Sequence, residues 1–127
     1  MGNPERTRTV LFRQVIHFFF LLALLLNSAQ AWAEKYGAIA YSPDSGKYGY
    51  SSDCGTRERA ESLALSHCIA VDARVAIWVK DGWAALYKNS EGQWHTAWSS
   101  NSREDAEAIA RSKVPNGRLI CWIYSGR

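Results

Sequence analysis

Tryptophan and tyrosine carry most of the chemical interest in this sequence. Past residue 33 the chain has five Trp, six Tyr and no Phe, because Phe12, Phe18, Phe19 and Phe20 all lie before that point. Each of these rings brings an N–H or O–H that needs a partner, so they favour half-wet surfaces and interfaces over dry cores. The chemistry on offer is contact: stacking on a sugar ring or anchoring a partner protein. With a four-residue loop in each of two hairpins, Tyr41 pairs with Tyr48, Ile39 with Tyr50, Tyr87 with Trp94, and Trp83 with Trp98. Tyr41, Tyr48, Tyr50, Trp83, Tyr87, Trp94 and Trp98 then share one sheet face. The other face carries Ala38, Ala40, Gly49, Ala84 and Ala97, small enough for a helix to come close. A three-residue loop ending at Gly46 or Gly92 would shift the register and scatter the aromatics over both faces. The stripe is therefore either core, where two repeats meet, or a platform for a protein or a glycan.

The remaining reactive types form weaker constellations. Three cysteines cannot all pair within one chain. Cys54 and Cys68 bracket a helix of about 12 residues, which sets them ~18 Å apart and beyond disulfide reach. Cys121 with Cys54 or Cys121 with Cys68 stay open as bridges, and one thiol is left over. No CxxC or HxxxH is present, and the adjacent His67 and Cys68 point about 100° apart on a helix, so no metal or other cofactor is expected. His95 is the one histidine on an expected strand, with Ser51, Ser52, Ser99 and Ser100 as candidate nucleophiles. Those serines read more simply as turn and cap residues. Glu61 and Glu107 each follow an arginine, Arg57 or Arg103, by four positions, which describes an exposed ion pair worth about 0.3 kcal/mol. No base–nucleophile pair stands out, and the expectation is a domain without enzymatic activity.

The elements that would position these residues come as one motif written twice. At an offset of 46, Ala38, Tyr41, Gly46, Arg57, Glu58, Ala60, Glu61, Ala64 and Ser66 fall on Ala84, Tyr87, Gly92, Arg103, Glu104, Ala106, Glu107, Ala110 and Ser112, and Tyr48 falls on Trp94. After a two-residue deletion, Arg74, Trp78 and Gly82 meet Arg118, Trp122 and Gly126. Each unit, 36–81 and 82–126, reads strand–strand–helix–strand. The first has strands at Tyr36–Ser42 and Lys47–Ser51 about a Pro43–Gly46 turn, an N-cap at Thr56, a helix with Ala60, Leu63, Ala64, His67 and Cys68 on one face, and a strand Arg74–Val79. That last run is apolar on both faces, the pattern of an interior strand. The second has strands Trp83–Lys88, Gln93–Trp98 and Arg118–Tyr124 and a helix Ser102–Lys113, with Ser102 and Asp105 resembling a capping box. The expected class is α+β: a mostly antiparallel sheet with two helices on one side and internal pseudo-twofold symmetry.

Four stretches carry a family likeness. They are Tyr36-Gly37-Ala38-Ile39-Ala40-Tyr41-Ser42, the following Lys47-Tyr48-Gly49-Tyr50-Ser51, and the two helices Arg57-Glu58-Arg59-Ala60-Glu61 and Arg103-Glu104-Asp105-Ala106-Glu107. Together they resemble domain-of-unknown-function family 4189, small exported bacterial domains. The resemblance implies export and a duplicated strand–helix pattern, and it brings no catalytic residue. Members often place one cysteine at a helix end and another just before the next strand. Here Cys68 takes the helix end, but Ala73 stands before Arg74, and the second helix runs out at Val114.

The first 33 residues read as a signal peptide. Arg6, Arg8 and Arg13 make a positive start, Val15–Leu26 is an apolar stretch broken only by His17, and Ala31-Trp32-Ala33 offers small residues for cleavage. Twelve residues of helix span ~18 Å, short of a ~30 Å hydrocarbon core, so a stable membrane anchor after cleavage is not expected. No adjacent arginine pair marks a twin-arginine signal. Cleavage near Ala33 would leave a single domain, 34–127, secreted or periplasmic. Losing three arginines and one glutamate reduces 15 basic and 12 acidic side chains to 12 and 11, net +1. That near-neutral balance lacks the dense basic face of a nucleic-acid binder. The expected role is a protein-binding module, inhibitor-like or envelope-associated. The alternative is a glycan or peptidoglycan binder stacking on Trp94, Trp98 and Tyr48, and a small hydrolase using His95 ranks last.

Overall fold

The computed structural model describes residues 13–17, 19 and 34–126. Residues 13–17 and 19, within the expected leader, are helical, and the expected cleavage motif at Ala31–Ala33 lies outside the described residues. Among the described residues no helix is long and apolar enough to cross a membrane.

From Glu34 onward the chain forms a compact unit of its own. Its elements run β1 (Tyr36–Tyr41), β2 (Tyr48–Cys54), α1 (Arg57–His67), β3 (Arg74–Lys80), β4 (Gly82–Lys88), β5 (Trp94–Ser99), α2 (Arg103–Ser112) and β6 (Arg118–Ser125). The repeated strand–strand–helix–strand order is as expected, and every strand pair is antiparallel. The six strands divide into two sheets, β2-β1-β3 and β5-β4-β6, instead of continuing as one. Each helix therefore covers its own sheet, and the layers stack helix, sheet, sheet, helix. Ala38 and Ala40 face Ala60 and Ala64 of α1, while Ala85, Tyr87 and Ala97 face Ala106 and Ala110 of α2. Between the sheets lie Ile39, Tyr41, Val79, Ala84, Leu86, Cys121 and Ile123. A sheet apolar on both faces cannot leave either one in water, and here the second sheet covers the face that the helix does not.

Local chemistry fixes the helices. Thr56 and Ser102 cap them, their hydroxyls accepting from Arg59 N (3.1 Å) and Asp105 N (3.0 Å). The capping box at Ser102 is half formed. The Asp105 carboxylate turns to Ser99 Oγ (3.3 Å) and Asn101 Nδ2 (3.4 Å) instead of reaching back to the cap. Alanines at the interface let α1 lie almost on the backbone of β2. A Cβ on Gly49 would come within 2.3 Å of Ala64 O and 2.5 Å of Cys68 N.

The two hairpins differ by one residue. Ser42 N donates to Lys47 O (2.9 Å) around a four-residue loop, and Asn89 N donates to Gln93 O (3.0 Å) around a three-residue loop, Ser90–Gly92. Both loops use a glycine at positive φ, 74° at Gly46 and 83° at Gly92. The first register is the expected one, Tyr41 opposite Tyr48 and Ile39 opposite Tyr50. In the second, Tyr87 stands opposite His95, Lys88 opposite Trp94 and Ala84 opposite Trp98. The internal match therefore runs at two offsets. Ala38 corresponds to Ala85 beneath the helices, 47 positions on, whereas the helix residues Ala60 and Ala106 remain 46 apart.

Candidate partner-binding groove

The seven aromatics do not share one surface. Tyr41 is fully buried between the sheets, and Tyr87 is buried beneath α2. Trp83 also packs on the α2 side, its ring 4.7 Å from that of Tyr124. Trp94 is half-buried, with the Tyr41 ring against it at 5.1 Å and the Arg74 guanidinium over it at 5.3 Å. Tyr48 and Tyr50 on β2 and Trp98 on β5 stay exposed. The one-residue-shorter second loop is the cause: it turns Trp83 and Tyr87 toward the helix while Trp94 and Trp98 stay on the inter-sheet side.

Neither expected disulfide forms, and all three cysteines are free and buried. Cys54 and Cys68 belong to the α1 side of the first sheet and Cys121 to the inter-sheet core, so sheet backbone stands between the proposed partners. Burial pushes the Cys121 thiol up to about 11. Burial raises that of Cys68 as well, with the nearby Asp72 charge adding to the rise. The other candidate reactive groups are spread out. His67 Nδ1 lies 3.1 Å from Tyr50 O, and His95 is exposed on β5. Ser51 Oγ donates to Ala60 O (2.6 Å), and Ser99 Oγ donates to Asp105. Among the described residues no three or more His, Cys, Asp or Glu converge on a possible metal position.

The repeat places two equivalent stacks where the sequence predicts ion pairs alone. Arg57 Nε binds Glu61 Oε1 at 2.6 Å while its guanidinium lies 4.4 Å from the centre of the Trp78 ring. Arg103 repeats this with Glu107 (2.7 Å) and Trp122 (4.2 Å). Each stack ties a helix to the outer strand of its sheet. The signal was in the self-match, where both arginines, both glutamates and both tryptophans recur.

Trp78 also forms one wall of an open groove of about 540 Å³, lined by Ala76, Ile77, Trp78, Val79, Lys80 and Trp98. Five of these six residues are consecutive in β3, so side chains from both faces of that strand and its outer backbone edge meet the cavity. β3 is an edge strand, although its sequence has the two-faced apolar pattern expected of an interior one. Trp98 reaches in from β5 and is 57% exposed. Cations mark both ends of β3. Arg74 stands at the start, and Lys80 at the end binds Glu34 at 2.5 Å. That contact, with the Tyr36 hydroxyl donating to Glu34 Oε2 at 2.7 Å, lowers the Glu34 pKa, and the same pairing raises that of Lys80.

The sequence model of a family described as a domain of unknown function, DUF4189, matches residues 36–124. The chain belongs to this family. As a DUF4189 domain it is similar to the NMR structure of Rv1813c from Mycobacterium tuberculosis, at 27% identity and a TM-score of 0.57, over 71% of this chain and 74% of that one. No curated protein matches the chain. The resemblance read from the sequence is thus shown, and it assigns the DUF4189 domain no activity. The sequence hides the groove because Ala76–Lys80 reads as buried strand, and of its lining residues Trp98 alone stands out as a candidate contact.

Proposed function

We propose that this DUF4189 domain is a non-enzymatic binding module, exported and released near Ala33, that engages a partner protein of the cell envelope or its surroundings through the β3 groove. One observation carries the reading: a strand patterned for burial on both faces lies at an open sheet edge, beside an exposed tryptophan. Exposed aromatics next to unpaired strand edges are where partner chains gain contact area. The arginine-led apolar leader supports export. Absence of catalysis is supported by the serine hydroxyls committed to Ala60 O and Asp105. It is also supported by a Cys121 thiol held protonated at neutral pH, since the thiolate is the nucleophile.

A glycan platform of Trp94, Trp98 and Tyr48 has less support, because Tyr41 and Arg74 already pack against Trp94. The test is affinity capture from the host's envelope and secreted fractions with the wild-type protein and Trp98→Ala in parallel. A protein retained near stoichiometry by the first and lost by the second supports the groove. Equal recovery by both contradicts it. Quenching of tryptophan fluorescence by muropeptides, with no protein retained, would favour the glycan reading.

A further inference from the structure

We propose that the β3 edge takes up an extended segment of a partner as a fourth strand of the first sheet, and that this segment is apolar through its centre and acidic at its ends. The inference rests on the partner-binding reading of the groove and specifies its ligand. Edge strands in stable domains are usually protected by a charge, a proline or a bulge in mid-strand, or by being short. Between Arg74 and Lys80, β3 reads Val75-Ala76-Ile77-Trp78-Val79, with no charge and no proline. Its one irregularity, the bulge at Ala76, leaves Ile77–Lys80 in regular register with β1. There Thr96 Oγ1 donates to Ala76 O at 3.4 Å, and from Ile77 to Lys80 the strand borders the groove. A strand added ~4.8 Å away would have side chains alternating between Trp98 on one face and Trp78 on the other.

The charges select the occupant. A second copy pairing antiparallel about Ile77 would bring Arg74 of one strand to the Lys80 end of the other at both ends, although the bulge turns the two side chains to opposite faces. A parallel copy would set like against like again. Like charges gathered at the ends of a strand pair repel, so self-association along β3 is disfavoured. A partner strand with carboxylates at its ends meets Arg74 at one end and, at the other, competes with Glu34 for Lys80. Apolar alternation between those ends suits Ile77, Val79 and the two indoles.

The experiment titrates the purified protein with two blocked six-residue peptides, Glu-Val-Thr-Val-Val-Glu and its Lys-ended counterpart, whose end residues fall on opposite faces as Arg74 and Lys80 do, following the β3 amide resonances. The Glu-ended peptide is expected to bind about tenfold more tightly, the sum of two favourable end pairs and two unfavourable ones. Glu34→Gln is expected to tighten that binding further. N-methylation of alternate peptide amides is expected to abolish binding on one edge and to leave it within about twofold on the other. Equal affinity of the two peptides, or tolerance of both methylation patterns, overturns the proposal. No binding of either peptide, while Trp98→Ala still abolishes partner capture, overturns strand addition and leaves the groove standing. No binding together with no effect of Trp98→Ala removes both readings.

Discussion

The two edges where the sheets meet are built from equivalent strands and end up different. At the β2–β6 edge the chains are tied together: Asp53 N donates to Ser125 Oγ at 2.9 Å, and Gly126 N donates to Asp53 Oδ1 at 3.2 Å. Asp53 manages this from a left-handed backbone conformation, φ 55°. At the β3–β5 edge the residue 46 positions on is Ser99. Its hydroxyl is taken by Asp105 and by Asn101 N (3.0 Å), so it serves the cap of α2 instead of reaching across. The counterpart of Ser125 is Asp81, whose amide donates to Lys35 O (3.4 Å). Two hydrogen bonds latch the sheets at one edge; at the other Thr96 Oγ1 reaches across to Ala76 O at 3.4 Å, and the groove opens beside it. Duplication supplied two interchangeable edges, and a few polar residues decided which one stays accessible.

Substitutions that break this comparison fall in a clear order. Gly49→Ala should cost the most, about 3 kcal/mol or more in thermal or urea unfolding, because the new methyl meets the α1 backbone and not a movable side chain. The equivalent strand position in repeat two is His95, which is exposed, so His95→Ala should change stability by less than about 0.5 kcal/mol. Asp53→Ala should cost about 1–2 kcal/mol, from the hydrogen bond that Gly126 N loses and from an alanine, which tolerates positive φ less well than aspartate. Asp53→Gly should recover about 1 kcal/mol of that by relieving the backbone alone. On the open edge Thr96→Val should cost only about 0.5 kcal/mol.

The pH dependence sharpens a further contrast, between the two hairpin loops. Ser42 Oγ donates to Asp72 Oδ1, and Asp44 N donates to Asp72 Oδ2 at 2.9 Å, which holds that carboxyl below the usual aspartate range. A lowered native pKa means stability that is complete above the ordinary aspartate pKa and lost as pH falls through it to the native value. Thermal melts from pH 7 down to pH 2 should show this loss, and Asp72→Asn should flatten it. Modest effects belong to the two stacks. Arg57→Ala and Arg103→Ala should each lower stability by about 0.5–1 kcal/mol and by similar amounts, since the two geometries match. A large difference between them would show that the repeats share those contacts in form but not in weight.

Much of this was legible in the sequence. The strand–strand–helix–strand repeat, both N-caps and the first hairpin register follow from turn residues, capping types and periodicity that act locally. The aromatic platform failed on one residue of loop length. Gly46 and Gly92 both take positive φ, so the two turns look alike when the repeats are superposed at 46. Asn89 makes the difference: its side-chain carbonyl accepts from Glu91 N (3.1 Å) and Gln93 N (3.0 Å), closing the second loop one residue sooner. The division into two sheets was hidden for another reason. Ile39, Val79, Leu86 and Ile123 mark an inward face, but nothing local says whether a helix or a second sheet will cover it. The edge position of β3 was hidden too, because its two-faced apolar pattern describes what the strand can bury and not where it lies.

The central claim is that the β3–β5 edge is the docking edge. The most direct test places a photo-crosslinking amino acid at Trp98 and, separately, at Ile109 on α2, which is 46% exposed and away from the groove. Irradiation in the native host should give a discrete protein adduct from Trp98 and none from Ile109. The same adducts from both positions, or an adduct from Ile109 alone, would contradict the account.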